Sequence, residues 1–208
     1  GRVDDGATRS PVLPSGDTTM YLPAAFRETD PAVIFDFVER HSFGLLTTVH
    51  RDEPFTSHLP MLVERAAGPD GALVGHWARA NPQALDTDGH SALAVFTGPH
   101  AYVSPTWYAE PNVVPTWNYA TVHAYGRLET FDDDARLLDV VRRSVAAYEA
   151  SLPQPWRVDE DAPTVRTLLG QIVGFRLVVE RWEAKFKLNQ NHSEVRRERV
   201  LAALLDRG

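Results

Sequence analysis

The stretch Gly75-His76-Trp77-Ala78-Arg79-Ala80-Asn81-Pro82 sets a histidine, an arginine and a helix N-cap close together at the end of an apolar run. A helix start carries unpaired N–H groups and the positive end of its dipole, and Pro82 gives up only an N–H that would be orphaned anyway. The guanidinium fork of Arg79 adds bidentate donors, so the group reads as a cradle for a phosphate-like anion. The same residues also suit a plain capped helix with a surface arginine. A little earlier, Thr56-Ser57-His58-Leu59-Pro60 puts serine beside histidine, the pair a hydrolase uses. Neighbours on a strand point to opposite faces, and the Gly-x-Ser-x-Gly elbow is missing, so nucleophilic catalysis is disfavoured here. An extended segment whose pairing ends at a proline can instead offer its main chain to a planar ligand.

The histidines at 41, 50, 58, 76, 90, 100, 123 and 192 contain no His-x-His or His-x-x-x-His pair, so no metal site is assigned to them. They read as hydrogen-bonded or pocket-lining residues. Between Phe96 and Gly126 the chain places Tyr102, Trp107, Tyr108, Trp117, Tyr119 and Tyr125 among prolines 99, 105, 111 and 115. So dense a belt serves to stack on a flat ligand, to bury an oligomer interface, or to fill a barrel core. No glycine-rich phosphate loop of the nucleoside triphosphate or dinucleotide type is present. From Lys185 to Gly208 six Lys and Arg face three Asp and Glu, a solvated helix face or a partner-binding patch.

These residues must be positioned by a mostly β scaffold. Asp30-Pro31 opens a helix with Val33, Ile34, Phe37 and Val38 on one face, running to about Arg40. Strands are expected over Phe43–Val49 and Phe55–Val63 around a polar turn, then over Ala72–His76, Ala92–Phe96, Trp117–Phe131 and Ile172–Val179. Helices are expected at Asn81–Leu85, from Asp132 to about Ala150, at Pro163–Leu169 and at Ser193–Leu205. Six or seven strands in hairpin-like succession imply an antiparallel barrel or sheet with peripheral helices, an α+β fold that is mainly β.

The chain has 208 residues, 43% hydrophobic and 24% charged, which excludes disorder and suffices for a core. Residues 1–19 hold Gly, Pro, Asp, Ser and Thr with little bulky apolar content, and read as a disordered leader or expression remnant before a domain spanning residues 20–208. The formal charge of −7 removes the positive field that drives DNA or anionic-membrane binding, and no apolar run suits a membrane span. With no cysteine, a reducing cytoplasm is the expected compartment.

Several strings then resemble one family in order along the chain. They are Met20-Tyr21-Leu22-Pro23 with Phe26, Ser42-Phe43-Gly44, Ser57-His58-Leu59-Pro60, Gly75-His76 with Asn81-Pro82, and Gly98-Pro99-His100-Ala101-Tyr102. Trp107-Tyr108, Pro115-Thr116-Trp117-Asn118-Tyr119, Val122-His123, Ile172-Val173-Gly174-Phe175 and Lys187-Leu188-Asn189-Gln190-Asn191 follow. Jointly they resemble the PaiB family of FMN-binding negative transcriptional regulators. The resemblance implies the FMN-binding split β-barrel of pyridoxamine phosphate oxidases, a homodimer, and flavin at the subunit interface. By resemblance, His76, Arg79 and Asn81 face the FMN phosphate, while Ser57, His58, Leu59 and Pro60 line the isoalloxazine. Trp107, Trp117 and Asn118 close the site, from this subunit or the second, with Lys187 and Gln190 nearby. The family's closing motif usually ends in arginine where this chain has His192. A flavin-dependent oxidoreductase acting on a small planar substrate is the alternative activity, because a flavin carries its own redox chemistry. No helix-turn-helix signature accompanies the regulator reading, which makes direct DNA contact doubtful.

Overall fold

The computed structural model describes residues 20–206, so the expected leader over residues 1–19 lies outside the described residues. A helix α1 (Pro31–Arg40) follows a short strand β1 (Arg27–Glu28), and then come β2 (Phe43–His50), β3 (Glu53–Pro60), β4 (Leu62–Glu64) and β5 (Ala72–Ala78). After the single turn α2 (Gln83–Asp86) run β6 (Ser91–Val103), β7 (Thr116–Phe131), α3 (Asp134–Glu149), α4 (Pro163–Leu169), β8 (Ile172–Lys187) and α5 (Glu194–Leu205). The strands form one antiparallel sheet in the order β3-β2-β6-β7-β8-β5-β4, with β1 added to β8. The fold is the antiparallel split-barrel type expected, with eight strands among the described residues instead of six or seven.

The extra strands have physical causes. The expected strand over Phe55–Val63 breaks at Met61, whose side chain is fully buried and whose N–H bonds to the Ser42 carbonyl. There the chain stops pairing with β2 and β4 begins to pair with β5. Long β6 passes through Gly98-Pro99 by a register shift between Thr97 and His100, a bulge that tolerates a proline without a donor. A second shift lies between Tyr125 and Gly126, and at Gly126 an added Cβ would stand 2.0 Å from the Val178 carbonyl oxygen.

Hydrogen bonds do not close the sheet, but its two edges meet. A Cβ on Gly75 would stand 3.0 Å from the Pro60 carbonyl, so β5 and the end of β3 touch through a bare backbone. The Asp30 carboxylate caps α1 by accepting from the Ala32 N–H at 2.9 Å, and the helix lays Ile34, Phe37 and Val38 against Leu46, Phe96, Val122 and Phe175. Burying side chains of this size stabilises the fold by about 1.5–3 kcal/mol each. A smaller core of Val74, Phe131, Leu137, Val140 and Leu169 seats α3 and α4 on the outside of the sheet.

Candidate functional site

Alternation on β3 turns Ser57 inward, where it is buried, and leaves His58 exposed, so the two do not form a nucleophile–base pair. The Ser57 hydroxyl instead accepts from the Asn81 side-chain amide at 2.9 Å. The Asn81 carbonyl oxygen accepts from the Gln83 N–H at 3.0 Å, which starts α2. Leu59 and Pro60, half-buried, complete this edge. Arg79 donates through Nε to the Gly170 carbonyl and through Nη2 to the Ile172 carbonyl, both at 2.9 Å, and its Nη1 lies 3.6 Å from the Asp132 carboxylate. The geometry found is thus that of a capped helix turn whose arginine is tied to the chain's own acceptors; Arg79 holds the β5–β8 edge. His76, on β5 opposite Gly174, is half-buried, and burial pushes its pKa down, so the ring is neutral near pH 7.

One residue behind this edge was invisible in the sequence. Gln83 is fully buried, donates to the Leu46 carbonyl, the Thr48 hydroxyl and the Phe55 carbonyl at 3.0–3.1 Å, and accepts from the Trp77 indole at 3.2 Å. A single amide thereby ties α2 to β2, β3 and β5.

The other predicted residues gather elsewhere. Trp117 is 53% exposed and meets Tyr102 edge-on at 5.8 Å. Asn118 points inward, buried, with no hydrogen-bond partner for its Oδ1. Lys187 donates to the Thr116 hydroxyl, and Gln190 folds back to donate to the Phe186 carbonyl and accept from the Leu188 N–H. Trp107 sits in a 3-10 turn, Pro105–Tyr108, against Val103, Tyr108 and Val200. Asn189, not anticipated, is buried with a positive φ of 65° and an unpartnered Nδ2.

These two groups stand at different levels of the sheet. On β7, Tyr119 pairs with Lys187 at one end and Phe131 with Gly174, the partner of His76, at the other. His76 and Lys187 thus stand twelve register positions apart, about 40 Å measured along the strand at ~3.3 Å per residue, whereas Ser57, level through Leu46 and Ala94 with Ala124, stands only five from Tyr119. Between them runs an outward face on which Leu45, Thr47, Leu93, Val95, Thr121, His123 and Tyr125 are only half-buried, while Leu46, Ala94, Val122 and Ala124 are fully buried inside. Glu183, buried beside His123 and Tyr125, accepts from the Arg181 Nε at 3.0 Å and from the Met20 N–H at 2.7 Å. Burial lowers the His123 pKa against the pull of Glu183, and burial together with Glu183 raises that of the Tyr125 phenol. A cavity of about 990 Å³ flanks this face between Tyr21, Phe35 and Trp182, and holds none of the predicted site residues. Among the described residues no three His, Asp or Glu side chains converge to hold a metal ion.

Residues 20–181 match the model of the family described as "Putative FMN-binding domain". The chain belongs to that family. It is also 36% identical over 177 residues to the protease synthase and sporulation protein PAI 2 of Bacillus subtilis, an alignment covering 84% of each chain. Among solved structures, a conserved hypothetical protein of Mycobacterium tuberculosis shares the fold at a TM-score of 0.59 and 18% identity, covering 84% of this chain and 95% of that one. So does a flavocytochrome of Azotobacter vinelandii, at a TM-score of 0.60 and 12% identity, over 77% of this chain and 69% of that one. Membership of the family gives FMN as the cofactor. The residues present fit such a group: the exposed Trp117 and Tyr102 rings offer stacking faces, the buried Asn118 Oδ1 is an unspent acceptor, and Lys187 brings a cation to the same end. Among the described residues no helix is long and apolar enough to cross a membrane.

Proposed function

We propose that the protein is a homodimeric FMN-binding regulator in which the flavin lies between the subunits. The Ser57–Pro60 segment and the His76–Asn81 edge, stiffened by Arg79, meet Trp107, Trp117, Asn118, Lys187 and Gln190 of the partner subunit. The observations that support this are the different levels of the sheet the two groups occupy, with His76 and Lys187 registering at opposite ends of β7, and the half-exposed sheet face of interface character between them. A twofold pairing of that face brings opposite ends of two chains together. When bound, FMN supplies the redox chemistry, and the chain's own groups seat the ring and keep water from it. A regulatory role is supported by similarity to a relative named for sporulation and protease synthesis. The charge of −7 argues that any control of transcription passes through another protein or through the flavin's redox state, in cytoplasm, and not through direct DNA contact.

Sedimentation and absorbance measured on the same FMN-loaded sample test the reading. Trp117→Ala is expected to shift dimer toward monomer and to lose flavin in step, because the indole serves both. A Trp117→Ala monomer that keeps its flavin refutes the shared site. NAD(P)H-dependent bleaching of the flavin with turnover of an acceptor would replace the regulator with an oxidoreductase.

A further inference from the structure

A second cavity, of about 460 Å³, opens between α3 and the outer faces of β4, β5, β7 and β8. Its floor is apolar, formed by Val74, Phe131 and Val140, with Ala135 at the rim. Its walls carry three guanidinium groups, those of Arg136, Arg143 and Arg176, against the carboxylates of Glu64 and Asp139. Glu64 is the brace: it pairs with Arg143 at 2.7 Å and with the Arg176 Nε at 3.0 Å, holding the two forks side by side. Asp139 takes a second contact to Arg143 at 3.3 Å, one turn along α3. Arg136 is different. Its guanidinium lies over the Phe131 ring, 4.0 Å from the centroid, and among the described residues no carboxylate lies within ion-pair reach of it.

The charge count decides the ligand. Arg143 and Arg176 are already paired, with Glu64, Asp139 and, 3.9 Å from the Arg176 Nη1, Glu129, which leaves Arg136 as the unpaired cation of the lining at the boundary between the charged wall and the apolar floor. A dianionic phosphate would bring one negative charge too many next to Glu64, Asp139 and Glu129, whereas one carboxylate neutralises Arg136 and accepts both N–H groups of its planar fork. The Val74–Phe131–Val140 floor asks for hydrocarbon behind that carboxylate. We propose that this cavity is a binding site for an apolar monocarboxylate, with Arg136 the recognition residue and Glu64 the group that positions Arg143 and Arg176. The site is separate from the flavin residues and does not depend on how the flavin is bound.

Calorimetric titration of the full chain with octanoate, and with octanamide as its uncharged isostere, provides the test. Octanoate is expected to bind at least tenfold more tightly than octanamide, since a charge-assisted hydrogen-bonded pair is worth more than that factor in a partly desolvated site. Arg136→Ala is expected to weaken octanoate at least tenfold while lowering the melting temperature by no more than about 4 °C, because Arg136 is exposed, its backbone cap from Asp133 persists, and only its contact with the Phe131 ring is lost. Ala135→Trp, at the rim, is expected to abolish binding by filling the cavity. Inorganic phosphate binding as tightly as octanoate would overturn the monoanion assignment. Octanamide binding equal to octanoate, or octanoate binding indifferent to both variants, would overturn the site.

Discussion

Gln83→Leu keeps the volume of a fully buried side chain and removes its amide, and the structure sets what that costs. The Trp77 indole N–H, 3.2 Å from the Gln83 carbonyl oxygen, and the Thr48 hydroxyl, 3.0 Å from its nitrogen, both lie in the interior and lose the partner that satisfies them. Each buried polar group left unpaired costs about 1–3 kcal/mol, so the pair costs about 2–6 kcal/mol before any loss at the Leu46 and Phe55 carbonyls. At ~2–4 °C per kcal/mol for a chain of this length, the melting temperature is expected to fall by about 10 °C. Differential scanning calorimetry reads this directly, and a midpoint within about 2 °C of the parent would refute the idea that this amide ties the sheet edges together. Gln83→Glu sharpens the test. A carboxylate still accepts from Trp77 but faces three oxygens, so the folded state favours its protonated form and raises its pKa above the unfolded value of about 4.3. The folded state then binds more protons, and the variant's deficit relative to the parent should shrink as pH falls from neutral and level off below about 4.3.

Arg79→Ala frees the Gly170 and Ile172 carbonyls that the guanidinium ties to β5, so it is expected to lower the melting temperature and the flavin retained after desalting together, and equal flavin content in variant and parent would detach Arg79 from the site. His76 and His123 have pKa values lowered by burial, so the unfolded chain binds more protons than the folded one once pH falls below about 6.5, and stability is lost over that window. Thermal midpoints recorded between neutral pH and pH 5 should fall, and His76→Gln with His123→Gln should flatten the dependence. Gly126→Ala forces a Cβ to 2.0 Å from the Val178 backbone oxygen, which no rotamer relieves, and should cost at least ~3 kcal/mol in urea unfolding.

What the sequence discloses is whatever is encoded by neighbours. The Asp30-Pro31 cap, the Asp133 cap that accepts from the Arg136 N–H, and the Ser193 cap of α5 are all local signals, and those helices begin where the residues say. Trp117–Phe131 reads as one long strand because its aromatic and β-branched residues follow a proline-punctuated stretch that excludes helix, and β7 runs Thr116–Phe131. β8 was legible only as far as Val179, although it continues to Lys187, because Glu180, Arg181, Glu183 and Lys185 give no apolar pattern. Arg181, Glu183 and Lys185 belong to the sheet through pairing with β7, about sixty residues earlier in sequence, Glu180 being the extra residue at the bulge, and Glu183 and Lys185 are buried there by partners that no local window contains. The candidate site divides along the same line. Residue types marked a helix cap, an arginine and an aromatic belt, but whether Arg79 is free or spent depends on Gly170 and Ile172, more than ninety positions away. Gln83 carries no motif at all, since a glutamine becomes an organising residue only when three strands converge on it. The two predicted groups stand at different levels of the sheet, with His76 registering through Gly174 at Phe131 and Lys187 at Tyr119, and that placement is set by strand pairing that no local window of sequence contains.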